Sequence, residues 1–88
     1  MSAMTVDILT PDRQIYSGET TSVTVPGTMG MFQIKNDHAP IISTLSTGTI
    51  KVVTGEGDKV FEVEGGVVEV LKNKIIILVE RVLEDTAA

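Results

Sequence analysis

The sequence predicts an all-β fold: an antiparallel β-sandwich of two roughly five-stranded sheets, built from about ten short strands. Three observations carry this. The 88-residue chain holds 12 Val, 9 Ile and 11 Thr against 4 Ala and 5 Leu. β-Branched side chains suit a pleated, half-buried surface and lose rotamer freedom in a helix. Apolar and polar residues alternate in several segments, the period of a strand with one face buried. Turn residues recur at short intervals, as in sandwiches and barrels.

From Met4 to Leu9, Met4, Val6 and Ile8 form one face and Thr5 and Asp7 the other. Thr10-Pro11-Asp12-Arg13 reads as a turn, with Pro setting φ at its second position. A short strand over Gln14–Ser17 is expected to turn at Gly18-Glu19. Thr20–Val25 alternates again, with Val23 and Val25 inward, and Pro26-Gly27 is expected to end it. Thr28–Pro40 is the least regular stretch and is read as a loop, with Met29, Met31, Phe32 and Ile34 as its apolar residues. Ile41–Leu45 and Thr49–Val53 are strands separated by Ser46-Thr47-Gly48, and Gly55–Asp58 is a hairpin loop. Lys59–Glu64 places Phe61 and Val63 on one face and Glu62 and Glu64 on the other, and Gly65-Gly66 is expected to break it at a sharp bend. Val67–Leu71 leads through Lys72-Asn73-Lys74 into Ile75–Val79. That last segment is apolar at consecutive positions, so it is buried on both faces, or buried on one and covered by a partner on the other. The residues from Leu83 onward are too few for an independent helix.

Length bounds the organisation to one domain over residues 1–88. With no Cys there is no disulfide or thiolate–metal staple, so the fold rests on apolar packing or on a partner. The net charge of −5 argues against a nucleic-acid partner, which requires a cationic footprint. The three aromatics, Tyr16, Phe32 and Phe61, leave little for base stacking. No apolar run approaches the roughly 18 residues of a membrane span, and Met1–Thr5 has no basic or apolar signal region. With the absent Cys this points to the cytosol.

The sequence presents no catalytic residue, no metal ligand set and no cofactor site. His38 is the only histidine, too few for a zinc site without Cys, and is read as fixing local backbone. Glu62, Glu64 and Glu69 are read as the solvent face of neighbouring strands rather than as paired acid and base. Gly55-x-Gly57 lacks the third Gly and the helix of a phosphate loop. What stands out is a surface: Met29, Met31 and Phe32 lie in a Gly-flanked loop, where apolar residues fold back or meet a partner.

Five motifs stand in register over most of the chain. They are Tyr16-Ser17-Gly18, Val23-Thr24-Val25-Pro26-Gly27, Gly30 followed by His38-Ala39-Pro40, Gly48, and Gly65-Gly66-Val67-Val68-Glu69-Val70. In order and spacing, from about Met4 to Val82, the sequence resembles the epsilon subunit family of F-type ATP synthases, called delta in mitochondria. The resemblance implies a sandwich of two five-stranded sheets. It implies a non-catalytic rotor subunit of the central stalk, coupling the gamma subunit to the c-ring during proton- or sodium-driven ATP synthesis. It places such a chain at the cytoplasmic face of a bacterial inner membrane, held there through the complex and not by insertion.

Two departures qualify it. The family's loop after Gly30 usually reads like Glu-Leu-Gly-Ile-Leu, where this chain has Met31-Phe32-Gln33-Ile34-Lys35. Most bacterial members continue into a helical hairpin, which in some binds ATP; no such hairpin, and no tight nucleotide binding, is expected of this chain. The expected interface with gamma and the c-ring is Met29, Met31, Phe32, His38, Ile41 and Ser43, on the Met29–Pro40 loop and the Ile41–Leu45 strand, with Met31 and Phe32 towards the c-ring and His38 and Ser43 towards gamma. The alternative is a biotinyl or lipoyl carrier domain, suggested by Gly48–Val52 and Glu56–Val60, with Lys59 beside the Gly55–Asp58 loop. A free-standing small-ligand binder lacks convergent polar groups.

Overall fold

The computed structural model describes residues 4–87. They form eight strands: β1 (Met4–Leu9), β2 (Gln14–Thr20), β3 (Ser22–Gly27), β4 (Gly30–Lys35), β5 (Ile41–Leu45), β6 (Gly48–Thr54), β7 (Gly57–Leu71) and β8 (Lys74–Ala87). Two are long enough to serve both layers. The first half of β7 pairs with β6 (Gly48↔Val63 to Thr54↔Gly57), and its second half pairs with β5 (Leu45↔Gly66 to Ile41↔Val70). β8 follows β7 through the same corner. One sheet therefore runs β2-β1-β8-β7-β5 and the other β8-β7-β6-β3-β4, five strand segments in each. The sandwich is as expected, with eight continuous strands in place of about ten. β1 and β8 pair in parallel (Thr5↔Lys74 to Leu9↔Leu78), an exception to an otherwise antiparallel ladder.

Gly65 and Gly66 turn the corner instead of ending a strand. Their φ values are +59° and +145°, conformations that only glycine adopts readily. A Cβ on Gly66 would overlap the Leu78 carbonyl oxygen and lie 2.8 Å from the Val79 Cα. β8 carries a bulge a few residues beyond this corner: Glu62 pairs with Glu84 and Val63 with Val82, which leaves Leu83 as the extra residue.

The other punctuation marks also sit inside strands. Gly18 lies within β2, where a Cβ would stand 2.9 Å from the Tyr16 hydroxyl; the glycine makes room for the tyrosine and does not turn the chain. The break falls at Thr21. Pro26 belongs to β3 because the β6 ladder has already ended at Thr24↔Lys51, so no N–H is needed on that side. Its carbonyl accepts from the Ser46 N–H at 2.7 Å.

Val23, Val25, Ile34, Ile50, Val52, Phe61 and Val63 from one sheet close on Met4, Val6, Ile8, Leu45, Val68, Val70, Ile75, Ile77 and Val79 from the other. Each such side chain contributes about 1.5–3 kcal/mol relative to its exposed state, which is how a chain without Cys holds together. Tyr16 reaches across at the β2 edge, its ring 5.8 Å from that of Phe61. The buried Thr20 hydroxyl donates to the Val53 carbonyl (2.7 Å) and accepts from the Ser22 N–H (3.2 Å). Among the described residues no buried side-chain polar atom lacks a partner.

Candidate functional site

Thr28–Pro40 is not one loop. β4 occupies Gly30–Lys35 and pairs with β3 from Ser22↔Lys35 to Gly27↔Gly30. The irregular look of the sequence has a physical cause. β4 pairs only with β3, so it is an edge, and its outward positions hold the apolar Met31 beside Gln33 and Lys35. Alternation is thereby masked on one side.

The strand separates the candidate residues. Phe32 faces inward, packs on the core, and lies where a Cβ on Gly27 would stand 2.8 Å from its ring. Met31 faces out at 61% exposure, and Met29 at the hairpin tip is 99% exposed, so neither is used by the domain's own core. The tip is held in place. The Thr28 N–H donates to the Thr44 carbonyl (3.1 Å), and the two threonine hydroxyls meet at 2.8 Å.

His38 lies at the opposite end of β4, about 20 Å away at roughly 3.3 Å per strand residue. Its Nδ1 donates to the Ala39 carbonyl (2.8 Å) and its N–H to the Lys35 carbonyl (3.2 Å), which is local backbone fixing. Asp37, at φ +63°, does not orient the imidazole. Its N–H donates to Asn73 Oδ1 (2.7 Å), and its carboxylate accepts from Asn73 Nδ2 (3.3 Å). Asn73, at φ +62° in the β7–β8 turn, also accepts from the Thr5 N–H through its carbonyl. Ile41 packs against the core, and the half-buried Ser43 donates to the Thr44 carbonyl at 3.3 Å. The six residues thus form three groups: Met29 and Met31 at one end, His38 at the other, and Ile41 and Ser43 along β5, with Phe32 directed into the core.

The three glutamates are dispersed. Glu62 accepts from the Thr49 hydroxyl (2.5 Å), Glu64 pairs with Arg81 (2.8 Å), and Glu69 lies on the other sheet. Glu62 and Glu64 are each taken up by a partner of their own and Glu69 is apart from both, so the three are not gathered into one site. Among the described residues there is no group of three or more His, Cys, Asp or Glu placed to hold a metal ion. Lys59 stands within β7, paired with Val52 and Ala87, and not on the exposed turn that a carrier lysine requires.

The outer faces of the two sheets differ sharply. On the β6 side, Thr49 with Glu62, Lys51 with Asp58 and Thr24 with Gln33 make a polar surface. On the β8 side, one row reads Leu9, Leu78, Val67 and Thr44 across β1, β8, β7 and β5, and the next reads Asp7, Ile76, Glu69 and Ile42. Ile42 is 74% exposed, Leu71 50% and Leu78 43%, on a face with no covering element among the described residues. Pro40, Ile41, Ile42, Glu69, Val70 and Leu71 line a shallow cleft of about 350 Å³ at its β5 edge. Sequence reasoning named Ile41 and the strand it begins but missed Glu69, Val70 and Leu71 as part of a site, although the run Ile75–Val79 carried the signal of a covered face: Ile75, Ile77 and Val79 are buried, while Ile76 is half-exposed and Leu78 exposed.

The fold and this surface define a small β-sandwich with one apolar outer face and no assembled catalytic group among its described residues. Residues 3–85 match the family described as ATP synthase, Delta/Epsilon chain, beta-sandwich domain, and the chain belongs to that family. It is 42% identical over 81 residues to an ATP synthase epsilon chain of Chlorobium limicola, covering 91% of this chain and 92% of that one. It is 43% identical over 75 residues to the epsilon chain of Leptospira interrogans, of which it spans 59%. Its fold matches a chain of the Euglena gracilis mitochondrial ATP synthase (TM-score 0.86, 15% identity), covering 94% of this chain and 54% of that one. It also matches a chain of the Tetrahymena thermophila central stalk and c-ring (TM-score 0.78, 22% identity), covering 94% and 67%. Family membership removes the carrier-domain alternative.

Proposed function

We propose that this chain is a non-catalytic rotor subunit of an F-type ATP synthase, joining gamma to the c-ring. The observation that carries the reading is the relationship to epsilon chains over nearly the whole lengths of both this chain and its Chlorobium relative. The structure supplies surfaces suited to such a part. Met29 and Met31 form an exposed apolar end for the ring, while Ile41 and Ser43 lie on the strand that borders the apolar face, for gamma. Phe32 supports the tip from within. The complex would hold the chain at the cytoplasmic face of a bacterial inner membrane. The test is affinity capture of the tagged chain from detergent-solubilised membranes. Gamma and the c-ring are expected to co-purify in stoichiometric amounts; their absence, with the chain folded, rejects the reading.

A further inference from the structure

Glu69 is out of character with its surroundings. It sits on the central strand β7, with Ile76 and Ile42 opposite it on the two neighbouring strands and Val67 and Leu71 two residues away on its own. Five other surface carboxylates are engaged: Asp7 by Ser17 (2.6 Å), Asp37 by Asn73, Asp58 by Lys51 (3.3 Å), Glu62 by Thr49 and Glu64 by Arg81. Asp12, Glu19, Glu56 and Glu80 are not, but none of these stands between apolar residues on both neighbouring strands as Glu69 does. Glu69 has no hydrogen-bond or ion-pair partner among the described residues. Lys74, the basic residue on the same face, stands opposite Leu71 instead.

We propose that Glu69 is the polar anchor of this face, receiving a lysine or arginine of gamma while the adjoining cleft takes an apolar side chain of the same segment. This rests on the rotor reading above. Three physical arguments select that occupant. Covering Glu69 with a purely apolar partner would bury an uncompensated charge, which costs several kcal/mol; a cation removes that cost. A second copy packed face to face would bring another Glu69 onto the same surface, and an anionic lipid surface would meet a chain of net charge −5. A small ligand would need several convergent polar groups, and the cleft offers one acidic side chain among Pro, Ile, Val and Leu. The cleft also adjoins Ile41, already assigned to the gamma side, so anchor and β5 edge form one continuous surface.

The test is a binding titration of the purified chain with gamma at low and high salt, with thermal melts of every variant. Glu69→Gln keeps the shape of the side chain and removes its charge. It is expected to weaken binding about 30-fold or more at low salt and to flatten the salt dependence seen with the unaltered chain. Gln33→Lys, on the polar outer face, is expected to bind as the unaltered chain does. If the unaltered chain fails to bind gamma, the rotor reading itself fails. If it binds, but with no salt dependence, or if Glu69→Gln binds equally well, only the role of Glu69 is overturned. Equal losses in Glu69→Gln and Gln33→Lys also overturn it.

Discussion

Two residues show how this chain trades side chains for space. Gly66 combines a φ of +145° with a backbone approach that leaves no room for a Cβ. Gly66→Ala should cost at least about 3 kcal/mol, from strain together with overlap. Gly55, which has open space around it and no positive φ, should accept alanine within about 0.5 kcal/mol. Chemical denaturation of the pair checks both, and equal losses would mean that the corner does not depend on glycine. Phe32 is the second case. Its ring lies against Gly27 and the core, so Phe32→Ala should lower stability by about 1–3 kcal/mol, or roughly 5–20 °C in a domain of this size. A melt unchanged from the unaltered chain would return Phe32 to the list of free surface anchors. The sequence could not resolve this: Met31 and Phe32 are both apolar, and only the pairing Val25↔Phe32 assigns the ring to the inside.

At the scale of elements, alternation was reliable wherever one face met the core and the other met water. β1 is the clearest case, with Met4, Val6 and Ile8 buried between Thr5 and Asp7. It failed where glycine or proline sat inside a strand for packing. Gly18 leaves room for Tyr16, Gly27 for Phe32, and Gly48 for Pro26, whose Cβ would lie 2.8 Å from a Cβ added there. Each looks like a turn signal in one dimension, because the reason for it lies on a neighbouring side chain. The link between two turns was also hidden, since Asp37 and Asn73 are far apart in sequence. Their reciprocal hydrogen bonds tie the β4–β5 connection to the β7–β8 turn. Asn73→Ala should cost about 1–2 kcal/mol and speed hydrogen exchange at the Asp37 amide, with the central β7 amides less affected. Uniform acceleration across the sheet would show global destabilisation in place of a local clamp.

Across the whole molecule, the bend shared by β7 and β8 decides what is exposed where. One hairpin supplies strands to both sheets, and its two outer surfaces differ: Glu62 and Glu64 before the corner, Val67, Ile76 and Leu78 after it. The same hairpin leaves the β3–β4 tip at one end of the sandwich, where Met29 and Met31 extend beyond the core. A part that joins two partners in a rotor needs surfaces that can be altered independently, and an exposed end and a broad face meet that need. Replacing both Met29 and Met31 by serine removes apolar anchors worth roughly 1–3 kcal/mol each if buried at an interface. No core contact is lost with them, because both side chains are exposed. The double variant is therefore expected to melt as the unaltered chain does and to retain gamma. Its recovery of the c-ring from solubilised membranes is expected to fall about 10-fold or more. Ile42→Asp, on the apolar face, is expected to do the reverse and lose gamma first. Quantifying both partners in each capture tests the separation: a double variant that loses gamma and ring in equal proportion would mean that tip and face act as one surface, with no division of labour between them.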